Sequence, residues 1–201
     1  MSEDRRIRAF LAIPTDGLWV ESARDLVARL KESLPRASWT RPESWHLTLK
    51  FFERISAEDV RALAAAVGPL AAALVPGEMK AAGAVVFPPR GAARVLGVGF
   101  EPTSVMDEVS RLARAAEAES RRLGLPEERR PFHAHVTFGR LRFPWPPDAV
   151  ESFRREIASW TFPPWHARSC VFYESRLLRE GAVHTPLEEW SFAGGPRGVG
   201  A

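Results

Sequence analysis

Two stretches of the sequence share one pattern: "ESWHLTLKFF" (residues 43–52) and "RPFHAHVTFGR" (residues 130–140). In each, a histidine stands two residues before a threonine, inside an apolar run as long as a buried strand. The pairs are His46 with Thr48 and His135 with Thr137. Because side chains alternate across a strand, each histidine should share a face with its threonine. We therefore predict two strands that each present an imidazole and a hydroxyl on one side.

Apolar residues should anchor the opposite faces of these strands in the core. For the first strand we expect Leu47, Leu49 and Phe51 on that face, and for the second strand Val136 and Phe138. A strand fixes a functional group more closely than a loop does. Each motif is therefore predicted to hold its polar pair rigidly.

The pattern of apolar residues and breakers around the motifs predicts an α+β chain with a weak internal repeat. In chain order we predict a strand (6–14), a helix (18–34), a strand from about 45, a helix from 56, two strands around a turn at 88–92, a helix from 104, a strand (131–143), a helix from 148 and two closing strands (167–178 and 182–192). Capping boxes are predicted for Ser56 with Asp59, Ser104 with Asp107, and Asp148 with Glu151.

Each half of the chain carries one of the two histidine strands, which suggests an approximate two-fold relation between the halves. We predict two pseudo-symmetric lobes of antiparallel sheet, with flanking helices, around a central cleft where the two motifs meet. Residues 1–192 are expected to form this single bilobal domain. Residues 193–201, "AGGPRGVGA", are expected to be a disordered tail.

Composition sets broad limits on function. The chain has 201 residues, 45% of them hydrophobic, which is ordinary for a soluble globular protein. No apolar run approaches the roughly 20 residues that span a bilayer, and we find no signal-peptide pattern. We therefore expect a cytoplasmic protein without a membrane partner. The single cysteine, Cys170, is expected to be a buried apolar residue rather than a nucleophile.

The charge of the chain is compatible with an anionic partner. The net charge is +3, and only Lys31, Lys50 and Lys80 are lysines, so nearly all positive residues are arginines. A guanidinium binds phosphate oxygens in a geometry that an ammonium cannot match. A compositional bias of the genome explains the arginine content equally well, because the chain is also rich in alanine.

Two imidazoles on either side of one reacting centre provide a general base and a general acid. Their reference pKa of about 6.5 allows proton transfer near neutral pH. Phosphodiester cleavage without a metal needs these two transfers, and threonine hydroxyls could donate hydrogen bonds to the non-bridging oxygens. We accordingly take His46 and His135 as catalytic candidates, with Thr48 and Thr137 as phosphate-binding candidates, and expect no cofactor.

Two other interpretations stay open. One His-x-Thr motif alone would usually be a hydrogen-bonded structural histidine, although two copies in matching positions weaken that interpretation. A metal site is the other, because His133 and His135 would point the same way on one strand. The first half has no matching pair of histidines, and no acidic residue stands beside either one as a third ligand. His166 and His184 are interpreted as structural or surface residues.

The sequence resembles the 2H phosphoesterases, named for two H-x-T/S-x motifs, and in particular the RNA 2′,3′-cyclic phosphodiesterases historically called 2′-5′ RNA ligases. "RAFLAIP" is similar to the opening strand of that family, and "HLTLKFF" and "RPFHAHVTFGRLR" are similar to its two motifs. "VVFPPRGAARVLGVGF" resembles its central hairpin, and "CVFYESRL" a closing strand. The resemblance spans nearly the whole chain.

The resemblance implies a bilobal fold and metal-independent opening of an RNA terminal 2′,3′-cyclic phosphate to a 2′-phosphate. Carried over, His46 would be the general acid that protonates the leaving 3′ oxygen, and His135 the general base that activates water. Arg140 matches an arginine of the family that follows the second motif. Its odd separation from His135 should turn it to the other face, unless a bulge at Gly139 restores the parity.

Aromatic residues and partners complete the expectations. Phe10 and Trp45 could stack on a terminal base, although core packing is the favoured interpretation of both. The expected partner is RNA with a 2′,3′-cyclic phosphate end, such as a tRNA fragment, or a small cyclic nucleotide, and the protein is expected to be a monomer. Two rival functions stay open: 2′-5′ ligation through the same site, and RNA binding without turnover.

Overall fold

The computed structural model describes residues 6–178 and 181–193. Apart from Ala193, the predicted disordered tail lies outside the described residues. Four α-helices and ten strands occur within these ranges. The helices are α1 (Gly17–Ser33), α2 (Ala57–Ala72), α3 (Ser104–Arg122) and α4 (Pro147–Ser159). The strands are β1 (Ile7–Pro14), β2 (Ser38–Trp39), β3 (His46–Ile55), β4 (Gly77–Met79), β5 (Ala81–Phe87), β6 (Val95–Phe100), β7 (His135–Arg140), β8 (Trp165–Ala167), β9 (Ser169–Leu178) and β10 (Gly181–Ser191).

The predicted α+β class is confirmed, with corrections at helix starts. Ser56 caps α2 as expected, because its Oγ accepts a hydrogen bond from the backbone N–H of Asp59 at 3.1 Å. The cap of α3 is Thr103, one residue before the predicted Ser104. The predicted cap at Asp148 is also wrong, because α4 has no side-chain cap. Pro147 begins that helix, and a proline at this position needs no N–H partner.

Eight strands form one antiparallel sheet in the order β10-β9-β1-β3-β7-β6-β5, with β2 paired to β7. Strands β4 and β8 pair separately. The two motif strands, β3 and β7, are neighbours and share a single residue pair, Leu47 with Val136. The sheet therefore consists of two groups of strands that meet at a narrow seam, and the seam runs between the two histidine motifs.

The two lobes on either side of this seam are not the two halves of the chain. Helices α2 and α3 pack against each other and against strands of the β10-β9-β1-β3 group. Helix α1 packs against α4, which covers β5 in the other group. Helix α3, from the second half of the chain, thus belongs to the lobe of β3. Helix α1, from the first half, belongs to the lobe of β7. This exchange ties the two motif strands together through the cores of both lobes.

Each motif strand contains one extra residue directly after its threonine. Along β3, Thr48 pairs with Ala12 and Lys50 with Leu11, so Leu49 is the extra residue. Along β7, Thr137 pairs with Gly97 and Gly139 with Leu96, so Phe138 is the extra one. An extra residue in one strand of a pair is a β-bulge, which reverses the alternation of the residues that follow. The two motifs therefore share a bulge as well as a sequence pattern.

The bulges change the predicted faces of two residues, Phe51 and Arg140. Phe51 was expected in the core, but it pairs with Phe10 and is 41% exposed, while Lys50 is turned inward instead. In β7 the same reversal brings Arg140 back to the face of His135 and Thr137. The bulge lies at Phe138, one residue before the suggested Gly139, and it removes the parity objection to Arg140. Phe51 and Arg140 occupy equivalent positions, five residues after their histidines.

Gly97 makes the second bulge sterically feasible. This glycine pairs with Thr137 at the point where the register shifts. A Cβ atom at position 97 would overlap the backbone carbonyl oxygen of Val136, which cannot move aside as a flexible side chain could. The close approach of β6 to β7 at the second motif therefore depends on a residue without a side chain.

Among the described residues, no helix is both long enough and apolar enough to cross a membrane.

Candidate active site

The seam between β3 and β7 brings both motifs to one place. Leu47 and Val136 pair across it in antiparallel register, and both are fully buried. Continued by one residue in each direction, this register sets His46 opposite Thr137 and Thr48 opposite His135. All four polar residues then lie on the face opposite the two apolar ones. The site predicted from the sequence is thus assembled by a single cross-strand pair.

His135 is held by the carbonyl group two residues before it. Its Nδ1 lies 2.8 Å from the backbone oxygen of His133. In the neutral ring, Nδ1–H donates to this carbonyl, which leaves Nε2 with a free lone pair. Burial lowers the pKa of His135, the carbonyl contact acts in the opposite direction, and the charges of Arg140 and His133 lower the pKa further. The net effect favours the neutral ring, whose Nε2 can accept a proton.

His46 is held in the equivalent way. It has a hydrogen bond with the backbone of Ser44, again two residues before the histidine. Burial and the neighbouring His184 lower the pKa of His46 to about 4, against the opposing effect of the Ser44 contact. The positive charges of His135 and Arg140 act in the same direction as burial. Both histidines and Arg140 are therefore close enough to affect one another electrostatically.

Several hydrogen-bond donors in the site have no partner within the described part of the chain. The hydroxyl groups of Thr48 and Thr137 donate no hydrogen bond there, and Arg140 has no ion pair. Burial and the charge of Arg8 lower the pKa of Arg140. A guanidinium nevertheless stays charged at any physiological pH. The site is therefore a concentration of positive charge and unused donors, which favours an anionic ligand.

Thr40 joins the start of the first motif to the bulge of the second. Its Oγ1 accepts a hydrogen bond from Trp45 Nε1 at 2.8 Å. The same hydroxyl contacts the backbone oxygens of Thr137 at 2.8 Å and Phe138 at 2.9 Å. Thr40 therefore fixes the separation of the motifs. Sequence reasoning missed it, because its two carbonyl partners lie nearly 100 residues away in the chain.

Phe10 and Trp45, the two candidates for base stacking, are both buried. Phe10 is 3% exposed and stacks on the ring of His46, with centroids 4.4 Å apart. Tyr173 stacks on Phe10 at 5.1 Å, so little of the Phe10 ring is free for a base. Trp45 is 4% exposed and packs against Phe138. The packing interpretation fits both residues, and Phe10 serves to hold the ring of His46.

His184, interpreted from the sequence as a structural or surface residue, lies beside the site and packs against two of its rings. Its ring centroid is 5.3 Å from that of His46 and 4.8 Å from that of Phe10, edge-on in both cases. Strand pairing explains the location: Phe10 pairs with Tyr173 on β9, and β10 pairs with β9 on its other side. No motif surrounds His184, so the sequence carried no signal for it.

The metal interpretation rested on His133 and His135 pointing the same way along one strand. Strand β7 begins only at His135, and His133 contributes its carbonyl oxygen to the site. Across residues 6–178 and 181–193, no group of three or more His, Cys, Asp or Glu side chains is arranged to hold a metal ion.

An antiparallel α+β fold with paired His-x-Thr strands at its seam is the arrangement of a 2H phosphoesterase. The chain belongs to the LigT-like phosphoesterase family, whose model matches residues 18–96 and 99–184. An RNA 2′,3′-cyclic phosphodiesterase from Methanothermobacter thermautotrophicus is 28% identical over 187 residues, covering 91% of this chain and 97% of the relative.

Solved structures agree on the fold. The TT0787 protein of Thermus thermophilus is 25% identical, with a TM-score of 0.69, covering 95% of this chain and 100% of its own. LigT of Escherichia coli in its apo form is 21% identical, with a TM-score of 0.70, covering 94% of this chain and 99% of its own.

Proposed function

We propose that this protein hydrolyses the 2′,3′-cyclic phosphate at the end of an RNA chain to a 2′-phosphomonoester, by general acid and base catalysis without a metal. The observation that carries the proposal is the Leu47–Val136 pair, because its register sets two imidazoles and two hydroxyls on one face of the seam. The relative from Methanothermobacter, an RNA 2′,3′-cyclic phosphodiesterase, supports the choice of substrate.

The reaction needs two proton transfers. Nε2 of His135 takes a proton from water as the water oxygen forms a bond to phosphorus. The bond from phosphorus to O3′ breaks, and protonated His46 gives its proton to that oxygen. The products are a 3′-hydroxyl and a 2′-phosphate. His135 then returns its proton to solvent and His46 regains one, which restores the starting state.

Thr48, Thr137 and Arg140 stabilise the charge that grows on the non-bridging oxygens. The Leu47–Val136 pair sets one threonine on each side of the seam, so the two hydroxyls can reach a phosphate there from both lobes. Their unused donors need no rearrangement when the charge develops, which is what makes such groups effective. Arg140 adds the planar pair of donors that binds two phosphate oxygens at once.

The low pKa of His46 predicts a shift between two pH titrations of its ring. The free protein holds His46 largely neutral at pH 7, since its pKa is about 4. An opposite charge within 4–6 Å favours the protonated ring by about 1–3 pKa units. The pKa of His46, followed by NMR, should therefore be about 1–3 units higher with saturating inorganic phosphate than in the free protein. Coincident titrations with and without phosphate would contradict this coupling.

An oligonucleotide that ends in a 2′,3′-cyclic phosphate tests the proposed function directly. Incubation in excess EDTA should yield a 2′-phosphate end, identified by its resistance to a nuclease that needs a free 2′-hydroxyl and by mass spectrometry. A 3′-phosphate product would contradict the proposed direction of ring opening. Inactivity in EDTA that added divalent metal reverses would contradict the metal-free mechanism.

A further inference from the structure

A second group of basic side chains lies beside His46. Arg8 on β1, Arg41 before β3 and His184 on β10 form this group, which we call the cationic cluster. The charges of Arg8 and Arg41 both act on His184 and, after burial, lower its pKa. Arg41 Nη2 donates a hydrogen bond to the backbone oxygen of Ala182, two residues from His184. The three side chains thus share one small region.

Strand register explains why Arg8 and His184 belong to the same surface. Ala9 pairs with Glu174, so Arg8 lies opposite Ser175 on β9, and His184 pairs with Ser175 from the other side. The row Arg8, Ser175 and His184 crosses three adjacent strands. Phe10, one step along β1 on the same face as Arg8, contacts the rings of both His46 and His184. The cationic cluster is therefore continuous with the candidate active site.

The cationic cluster lacks a counter-ion in the described part of the chain. Neither Arg8 nor Arg41 pairs with a carboxylate there. The guanidinium of Arg8 lies over the Phe51 ring, 4.5 Å from its centroid. Its Nε and the Nδ1 of His184 are buried and have no hydrogen-bond partner. Burying unused donors and charge is costly unless a ligand supplies the acceptors.

The position of the cationic cluster fits one part of the proposed substrate. Arg8 also lies close enough to Arg140 for its charge to lower the pKa of that arginine. Positive charge therefore extends from Arg140 at the seam to Arg8 and Arg41, and the ring of His184 lies beside these two arginines. In the proposed reaction His46 protonates O3′, so the terminal ribose lies next to His46. The 5′ oxygen of that ribose carries the next phosphodiester of the RNA chain, one nucleotide away.

We propose that the cationic cluster binds the phosphodiester on the 5′ side of the terminal nucleotide, so that the preferred substrate is an RNA chain end rather than a nucleoside 2′,3′-cyclic monophosphate. This inference rests on the proposed function. Arginines that hold a single-stranded backbone phosphate act on every base sequence alike. The cationic cluster therefore favours substrates with a second phosphate and does not discriminate between base sequences.

Two substrates separate this subsite from the catalytic one: uridine 2′,3′-cyclic monophosphate, which lacks a second phosphate, and the dinucleotide UpU with a 2′,3′-cyclic phosphate end. Arg41→Gln should lower the ratio of the two kcat/KM values, dinucleotide over mononucleotide, by about tenfold or more, as expected for one charge-assisted hydrogen bond. Glutamine still has a donor for the Ala182 carbonyl. Arg41→Lys should recover part of the ratio, because the charge is kept.

Arg8→Gln is the second variant, and it should lower the same ratio. Arg61→Gln on α2 is the matched control, because Arg61 is exposed and lies outside the cationic cluster; it should leave the ratio unchanged. For the dinucleotide, the dependence of log kcat/KM on log salt should become shallower by about 0.7 in Arg41→Gln, as one phosphate contact is lost.

The outcomes distinguish the two proposals. If the unmodified protein turns over neither substrate, the proposed function fails, and the subsite fails with it. If both substrates are turned over but the ratio is unchanged in folded Arg41→Gln and Arg8→Gln, the subsite is wrong and the proposed function stands. A ratio that falls in both variants and not in Arg61→Gln supports the subsite. Circular dichroism on every variant identifies any that fail to fold.

Discussion

Replacing His46 or His135 with asparagine should lower kcat for hydrolysis of the cyclic phosphate by about 10²–10⁴, the usual contribution of one positioned acid or base. Asparagine keeps a planar polar group of similar reach, and at position 135 its amide can still donate to the carbonyl of His133. The lost function is therefore proton transfer rather than packing. Because both groups act in one step, the double variant should lose less than the product of the two single losses.

His166 provides the matched control. It lies on β8, exposed and away from the seam; its backbone N–H donates to Asp16 Oδ2, and its side chain makes no hydrogen bond within the described residues. His166→Asn should retain kcat within about twofold, as for a surface substitution that touches no network. Initial rates should be measured at saturating substrate, together with thermal melts. Retention of full activity by folded His46→Asn or His135→Asn would contradict the acid and base mechanism.

A modified substrate separates the acid from the base. With sulfur in place of O3′, the leaving group is a thiolate, which needs no proton at neutral pH because a thiol has a pKa of about 8.5. His46→Asn should then lose little activity relative to the unmodified protein, while His135→Asn stays impaired. The reverse pattern would exchange the two roles.

The catalytic candidates could be predicted because their signal is local. His46 with Thr48 and His135 with Thr137 each share a strand face by simple alternation, and the duplication implied that they meet. The structure brings them together through Leu47 and Val136, as an approximate two-fold relation requires. Helix positions were also readable, since α1 and α2 follow apolar periodicity and a serine cap.

The bulges could be suspected but not located from the sequence. Alternation placed Phe51 in the core, and the extra residue Leu49 reverses it. A bulge depends on how many residues the neighbouring strand supplies, which is a property of the pairing rather than of the motif. For Arg140, the family resemblance indicated a place in the site, whereas strand alternation predicted the opposite face. Where resemblance and alternation disagreed, a bulge reconciled them.

Residues that support the site from a distance could not be found by pattern. Thr40 acts through the carbonyl of Thr137, 97 positions along the chain. His184 reaches His46 because β10 pairs with β9 and β9 with β1, an order that no local signal specifies. The exchange of helices between lobes was likewise unpredictable, since α1 and α3 have ordinary amphipathic patterns that would fit either sheet group. Pairing between distant segments of the chain is thus the feature that local sequence patterns do not predict.

Arg140→Ala should lower kcat/KM by about 10²–10³, the usual effect of removing one preorganised donor to a developing charge. The bulge after Thr137 returns Arg140 to the face of His135, and its charge acts on the pKa values of both histidines. Its guanidinium has no ion pair to break in the described residues, so the folded state should lose little stability. The loss should therefore appear in catalysis rather than in the melting temperature.

Lysine at position 140 distinguishes charge from geometry. Arg140→Lys keeps the positive charge but cannot donate two parallel hydrogen bonds to a phosphate, so it should recover only part of the loss. Arg142→Ala is the matched control, because Arg142 is exposed two residues further on and its side chain lies over Phe143. Competitive inhibition by inorganic phosphate supplies an independent measurement: its inhibition constant should rise for Arg140→Ala and stay unchanged for Arg142→Ala. An unchanged constant in Arg140→Ala would mean that Arg140 faces the site without binding the anion, and the phosphate would then depend on the threonine hydroxyls alone.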